Sequence, residues 1–216
     1  GPGHVRHNGR MTEIVTLDNG VWQAQILPSL GGVVLSGRVR IGGEWTDVMR
    51  PSPAGLDAFG EAASYPLIPW SNRIKDAGFT WRGQSHQLHV SHSDGTAIHG
   101  TSADKGWTVV DEDATEVTLA LDSREHEGIN WPWAFTTSLA YTLAGADFTV
   151  TASVTNVSDA PVPAGSGHHP YFERQVGGAA AVLQLNCAKA YEAVGCIPSA
   201  AAGPIRDGAD FTSPTA

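Results

Sequence analysis

The sequence is poor in cysteine, poor in charge and without a long apolar run. Its two cysteines, Cys187 and Cys196, lie outside any C-x-x-C motif. Two free thiols in a reducing compartment are therefore favoured, although a disulfide between them stays open. No stretch of 18 apolar residues exists, so no transmembrane helix is expected. These absences predict a cytoplasmic protein.

Basic clusters are also missing. Charged residues make up 16% of the chain, the net charge is −9, and no run of Lys or Arg occurs. Nucleic acids and anionic membranes are bound through basic patches, so both are excluded as expected partners. The acidic balance favours a neutral small molecule as the ligand.

Residues 1–10 are interpreted as a cloning scar or a disordered N-terminus, because Gly1-Pro2-Gly3-His4 has no apolar signal core and Met11 is a plausible start. Residues 11–216 are predicted to form a single domain. The 25 Gly and 13 Pro imply many turns and few long helices.

Alternation of apolar and polar residues predicts an all-β domain. The clearest alternation places Phe148, Val150, Ala152 and Val154 on one face of a strand. Asp18-Asn19-Gly20 predicts a hairpin turn. Further strands are predicted at 14–17, 22–26, 33–41, 44–48, 79–81, 107–110, 117–121, 135–143 and 183–185, with irregular segments at 51–60 and 65–74. Many short strands joined by Gly and Pro turns indicate a sandwich or barrel.

A metal site is one reading of the run His86, His89 and His92. On a strand, His86 and His89 would face opposite sides of the sheet. His86 and His92 would share a face but lie roughly 20 Å apart, at about 3.3 Å per residue. Loop and strand histidines facing solvent are therefore favoured, and no metal or cofactor is expected. A metal-dependent β-barrel enzyme is the alternative.

Three local motifs combine side chains that suit a sugar. Pro69-Trp70-Ser71-Asn72-Arg73-Ile74 offers an aromatic face, an amide and a guanidinium. In Ile98-His99-Gly100, the glycine suggests a close backbone approach beside an imidazole. Gly167-His168-His169-Pro170-Tyr171-Phe172 places a histidine pair before two aromatic rings, and an imidazole can exchange a proton near neutral pH.

Taken in order, these motifs, with the first extended to the stretch from Tyr65 to Ile74, resemble the aldose 1-epimerase (galactose mutarotase) family. Leu30-Gly31-Gly32, the stretch from Trp131 to Phe135, and the run from Asp207 to Phe211 are similar to further family features. The resemblance implies a large antiparallel β-sandwich, the galactose mutarotase-like supersandwich. It also implies interconversion of the α and β anomers of a free aldose, of galactose or glucose type, without metal or cofactor.

The resemblance assigns roles residue by residue. His169 is similar to the general acid, and His99 to the second imidazole that holds the sugar. Asn72 and Arg73 resemble the residues that bind hydroxyl groups, with Trp70 and Tyr171 as further substrate-binding residues. The role of His168 is left open.

One departure from the family pattern is expected to matter. The resemblance implies an Asp that binds sugar hydroxyls and a Glu that acts as the general base, both from later segments, and the sequence ends at Ala216 before such a motif. The sandwich is therefore expected to be incomplete at its C-terminus. Alternatives are a noncatalytic sugar-binding relative or a sugar-6-phosphate mutarotase, the second weakened by the −9 charge. The oligomeric state stays open.

Overall fold

The computed structural model describes residues 14–206, 208 and 210–215. The predicted N-terminal scar at residues 1–10, and Asp207 and Ala209 of the Asp207–Phe211 run, lie outside the described residues.

The first sheet is a four-stranded antiparallel meander. Its strands, in spatial order, are β1 Val15–Asp18, β2 Trp22–Leu27, β3 Val33–Ile41 and β4 Glu44–Asp47. The predicted hairpin between β1 and β2 is confirmed. Its turn is closed by Asn19, whose Oδ1 accepts hydrogen bonds from the backbone N–H groups of Val21 (3.0 Å) and Trp22 (2.7 Å).

Short paired strands connect this sheet to a second one. They are β5 Pro66–Leu67, β6 Arg73–Ile74, β7 Gly78–Trp81, β8 Gln84–Gln87 and β9 Ala97–Ile98, with β6 paired to β9 and β7 paired to β8. Short 3-10 helices occupy Phe59–Glu61, Lys75–Ala77 and Ser123–Glu125.

The second sheet is another antiparallel meander. It consists of β10 Thr108–Glu112, β11 Glu116–Asp122, β12 Phe135–Ala144 and β13 Asp147–Asn156, in that spatial order. The predicted alternation in β13 is confirmed, because its four apolar residues are partly buried against the core.

The two sheets pack face to face, so the predicted β-sandwich is confirmed. Leu17 and Ile26 of the first sheet and Leu119 and Leu139 of the second are fully buried in one cluster. Removing such side chains from water stabilises the fold by about 25 cal/mol per Å² of apolar surface. Tyr141 also joins the sheets, since its hydroxyl donates to the carbonyl of Gly32 at 2.7 Å.

Beyond β13 the residues that the structure describes form short strands of two residues each. They are β14 Gly167–His168, β15 Gln175–Val176, β16 Ala179–Ala180, β17 Ala193–Val194 and β18 Ile197–Pro198. The predicted strand at 183–185 is wrong, since Leu183 makes a single isolated bridge with Thr215. Leu183 and Leu185 are each 44% exposed, so no sheet face buries their side chains.

Both cysteines are exposed and free. No helix among the described residues is long and apolar enough to span a membrane.

Candidate functional site

Two of the sequence motifs are joined directly by a backbone ladder. Strand β14 pairs antiparallel with β5, so that His168 lies opposite Pro66. The ladder continues past β14, because the N–H of His169 donates to the carbonyl of Tyr65 and the N–H of Tyr171 donates to Ala63, both at 2.9 Å. The position of His169 is therefore set by main-chain bonds to the segment that leads into Asn72 and Arg73.

The third motif is held on the same segment. Strand β9 pairs with β6, and the N–H of His99 donates to the carbonyl of Asn72 at 2.9 Å. Gly100 has a φ of +79°, and a Cβ atom there would lie 2.0 Å from the carbonyl oxygen of Ile68. The close approach predicted beside His99 is confirmed, since only glycine fits at position 100.

These contacts bring the two predicted catalytic histidines together. The ring centroids of His99 and His169 are 5.3 Å apart, edge to face at 75°. Tyr65 stacks on His169 at 4.8 Å and 14°, and Tyr171 lies 4.8 Å from His169 on a tilted plane. Arg50 covers the Tyr171 ring, with its guanidinium carbon 3.8 Å from the ring centroid. Aromatic packing therefore fixes the orientation of the His169 ring.

His99 is held in its neutral form. Burial, followed by the nearby His169 and Arg73, lowers the pKa of His99 from 6.5 to about 4. Its Nδ1 atom is buried and makes no hydrogen bond. At pH 7 only about one His99 in 10³ carries a second proton, because the pKa lies three units lower. His99 can therefore donate or accept hydrogen bonds, but it is a poor proton donor.

His168 faces the protein interior. Its Nδ1 lies within hydrogen-bond distance of the Ser64 hydroxyl, and its Nε2 is 3.3 Å from the Tyr141 hydroxyl. The single proton of Tyr141 goes to the carbonyl of Gly32, so Nε2–H of His168 is the donor and Nδ1 accepts from Ser64. Burial first, and then the neighbouring His169, lowers the pKa of His168 to about 4.

Asn72 and Arg73 are tied to each other and to different loops. The Nη1 group of Arg73 donates to the Oδ1 of Asn72 at 3.4 Å, while the Nδ2 of Asn72 donates to the carbonyl of Cys196 at 3.0 Å. The Nε of Arg73 donates to Asp94 at 2.7 Å. Asn72 is exposed with a φ of +55°, and Asn tolerates this left-handed conformation better than most residues.

Trp70 is the predicted site residue with the least contact to the two histidines of the site. It is 7% exposed and stacks on Trp131 at 5.1 Å, which in turn stacks on Phe79 at 5.2 Å. No ring contact within the described part of the chain joins Trp70 to either His99 or His169. Its ring therefore supports the segment before Asn72 from within an aromatic cluster and offers little surface to a ligand.

The three histidines of the predicted alternative metal site are separated. His86 stacks on Phe79 at 5.3 Å, His89 is exposed, and His92 contacts Asp94 at 3.0 Å. In the described ranges, no three His, Cys, Asp or Glu side chains are grouped closely enough to hold a metal ion.

Several contacts of the candidate site residues were not predicted from the sequence. Tyr65 lies in the extended first motif, and its ring stacks on that of His169. The sequence does not indicate this contact. Ser64 and Tyr141 anchor His168, and Asp94 holds Arg73. The Asp94-Gly95 pair indicates a turn beside the Ile98-His99 motif, but it does not indicate the contact with Arg73.

Known proteins share sequence and fold with this chain. The profile of the aldose 1-epimerase family matches residues 13–191. YphB of Escherichia coli K12, an uncharacterised protein, is 32% identical over 136 residues, which are 61% of this chain and 45% of YphB. The chain thus spans about half the length of this curated relative.

Two solved structures share the fold. An Escherichia coli K12 protein, provisionally described as an aldose 1-epimerase, superposes with a TM-score of 0.75 at 25% identity, over 94% of this chain and 65% of its own. A GalM/aldose epimerase homologue from C. elegans gives a TM-score of 0.78 at 17% identity, over the same shares of the two chains.

Proposed function

The chain belongs to the aldose 1-epimerase family, and we propose that it takes part in interconverting the α and β anomers of a free aldose by acid–base ring opening. The observation that carries the proposal is the contact between His99 and His169, whose ring centroids are 5.3 Å apart. Both histidines are bonded through their backbone N–H groups to the segment that bears Asn72 and Arg73. An amide, a guanidinium and two imidazoles can together bind several hydroxyl groups and transfer a proton.

The two imidazoles are proposed to have different roles. Ring opening needs a proton delivered to the ring oxygen. His99 is neutral at pH 7, since its pKa is lowered to about 4, so it is proposed to hold the sugar through a hydrogen bond. His169 is proposed as the general acid, fixed by its stacking on Tyr65 and by its backbone bond to the same residue.

The reaction also needs a base that removes the proton of the anomeric hydroxyl. Among the residues that the structure describes, no hydrogen bond or ion pair joins a carboxylate to His99 or His169. We therefore propose that this chain alone turns over aldoses slowly, because one general base contributes about 10²–10⁴-fold. The proposed proton transfers use no metal or cofactor.

No observation favours a phosphorylated sugar. The positive charge of Arg73 is already paired with Asp94, and Arg50 donates to the carbonyl of Ala62 and covers Tyr171. A phosphate would need a cation that is free to bind it.

Titration with galactose and glucose, followed by tryptophan fluorescence and by polarimetry, tests the proposal. Trp70 and Trp131 lie in the cluster that supports Asn72, so a bound sugar is expected to change their emission. Saturable binding with slow mutarotation is the expected result. Binding without any turnover above buffer would favour the noncatalytic alternative, and no response to any common aldose would contradict the site.

Replacing the proposed acid gives a second test. Wherever turnover is measurable, His169→Asn is expected to lower kcat by about 10²-fold or more, since Asn can donate a hydrogen bond but cannot deliver a proton. His89→Gln, which alters an exposed histidine, is the control and should leave kcat unchanged. Circular dichroism checks that the fold is kept. Near-normal turnover in His169→Asn would assign the acid to another residue.

A further inference from the structure

Asp94 lies on the turn before β9 and uses both carboxylate oxygens. Its Oδ2 accepts from the Nε of Arg73 at 2.7 Å. Its Oδ1 accepts from the hydroxyl of Thr96 at 2.6 Å and from the N–H of Thr96 at 3.1 Å, and lies 3.0 Å from the Nδ1 of His92. The carboxylate is thus fixed on one side by its own turn and presents its other oxygen to Arg73.

We propose that Asp94 is a positioning residue that holds the guanidinium of Arg73 by its Nε edge and so directs the remaining N–H groups of Arg73 toward a sugar. This inference rests on the proposed function, because the sugar is the ligand that Arg73 would bind. A guanidinium has five N–H donors in one plane. Fixing Nε fixes that plane and leaves the terminal nitrogens as the binding edge.

The surroundings of Arg73 support this role. Its side chain is 18% exposed, and that of Asp94 is 36% exposed, so the pair is partly shielded from solvent. Bonds between two charged groups are roughly twice as strong as neutral ones. The Nη1 of Arg73 reaches Asn72 at 3.4 Å, and no hydrogen bond within the described part of the chain uses Nη2.

The Asp94–Arg73 pair, here called the clamp, also connects the proposed hydroxyl-binding residues to the imidazoles. Arg73 lies opposite Ile98 in the β6–β9 pair, and His99 follows Ile98. The hydrogen bonds from Thr96, together with those from Arg73 and His92, keep the pKa of Asp94 well below its usual range. Asp94 therefore stays charged throughout the pH range in which His99 and His169 would act.

Asp122 provides a matched control on the second sheet. It accepts from the N–H of Arg124 at 3.0 Å and from the Nε of Arg124 at 2.9 Å, so it too combines a turn bond with a carboxylate–guanidinium pair. Asp122→Asn removes a similar interaction outside the candidate site.

The test is a double-mutant cycle read by galactose and glucose affinity. Asp94→Asn is expected to weaken aldose binding about 10-fold in the wild-type background, as expected for losing a bond between charged groups. In the Arg73→Met background, Asp94→Asn should change affinity by less than about 2-fold, since it acts through Arg73. A purely structural role for Asp94 would give the same loss in both backgrounds, and that result would overturn the inference.

A second measurement needs no sugar. The Nε–H signal of Arg73 in a proton–nitrogen NMR spectrum should be protected from exchange in the wild type and in Asp122→Asn, and should lose protection in Asp94→Asn. If the wild-type signal is unprotected, the clamp is wrong. If the clamp is present but no aldose binds, the proposed function fails instead. If aldose binds and Asp94→Asn binds it equally well, only the inference fails.

Discussion

The half-buried His168 predicts a specific dependence of stability on pH. Its pKa is about 4 in the folded protein and 6.5 for the unperturbed side chain. The unfolded chain therefore binds a proton at a higher pH than the folded chain. Stability contributed by neutral His168 is fully present above pH 6.5 and is lost as the pH falls from 6.5 toward 4.

The size of this loss follows from the two pKa values. Between pH 7.5 and pH 5.5, linkage gives a loss of about 1.3 kcal/mol of unfolding free energy from His168 alone. At pH 5.5 the folded form binds almost no proton, so the magnitude is set mainly by the unfolded-state pKa. The stability comparison stops at pH 5.5 because carboxylates with lowered pKa values, such as Asp94, also change the free energy of unfolding at lower pH.

Urea unfolding of the wild type and of His168→Asn at both pH values measures this contribution. His168→Asn is expected to be less stable at pH 7.5, because Ser64 and Tyr141 lose their partner. Its stability should also fall by about 1.3 kcal/mol less than that of the wild type between pH 7.5 and 5.5. His99 contributes equally to both proteins, so its effect cancels in the comparison.

His89→Gln is the control, and it should keep the pH dependence of the wild type because His89 is exposed. The reasoning is refuted if His168→Asn loses as much stability as the wild type over the same interval. That outcome would mean that His168 is protonated to the same extent in both states, and that its assigned hydrogen bonds, donated to Tyr141 and accepted from Ser64, do not hold it neutral.

Two further predictions concern single contacts. Gly100→Ala should destabilise the protein by about 2 kcal/mol or more, because the new Cβ atom would lie 2.0 Å from the Ile68 carbonyl oxygen at a left-handed φ. Thermal unfolding measures this loss, and an unchanged Tm would contradict it. Asn72→Ala removes the hydrogen bond from Asn72 Nδ2 to the Cys196 carbonyl, so it should raise the rate of Cys196 labelling by a thiol reagent about 2- to 10-fold. The labelling rate of Cys187 should stay constant. Equal Cys196 rates in the variant and the wild type would show that this hydrogen bond is not formed.

Much of the sandwich was predictable because its causes are local. Period-2 alternation places side chains on opposite faces of a strand, so the residue order alone assigns Phe148 and Val150 to one buried face. Asn19-Gly20 fixed the first hairpin through its tolerance of positive φ. The segment at 183–185 shows the limit of this reasoning, since an apolar run becomes a strand only where a neighbouring strand can pair with it.

The residue types of the site were also visible in the sequence. Asn72, Arg73, His99 and His169 were identified by motif, and the structure brings them together through two separate strand pairs, β5–β14 and β6–β9. The glycine after His99 could be interpreted from the sequence because a close backbone approach excludes a Cβ atom, but only the fold shows that the approaching atom is the Ile68 carbonyl oxygen. Their roles in catalysis and binding remain proposals.

By itself, the sequence determined the all-β class, the turn positions and the chemical groups of the candidate site, because each depends on neighbours within a few residues. Only the tertiary structure decided how these groups are used. His168 and His169 are adjacent, so they point to opposite sides of the backbone, but Ser64 and Tyr141 decide that His168 is the one held against the interior. Trp70 is predicted to bind substrate, and only the structure shows that its ring also stacks on Trp131. Such choices depend on contacts between residues far apart in the chain, which local patterns do not specify.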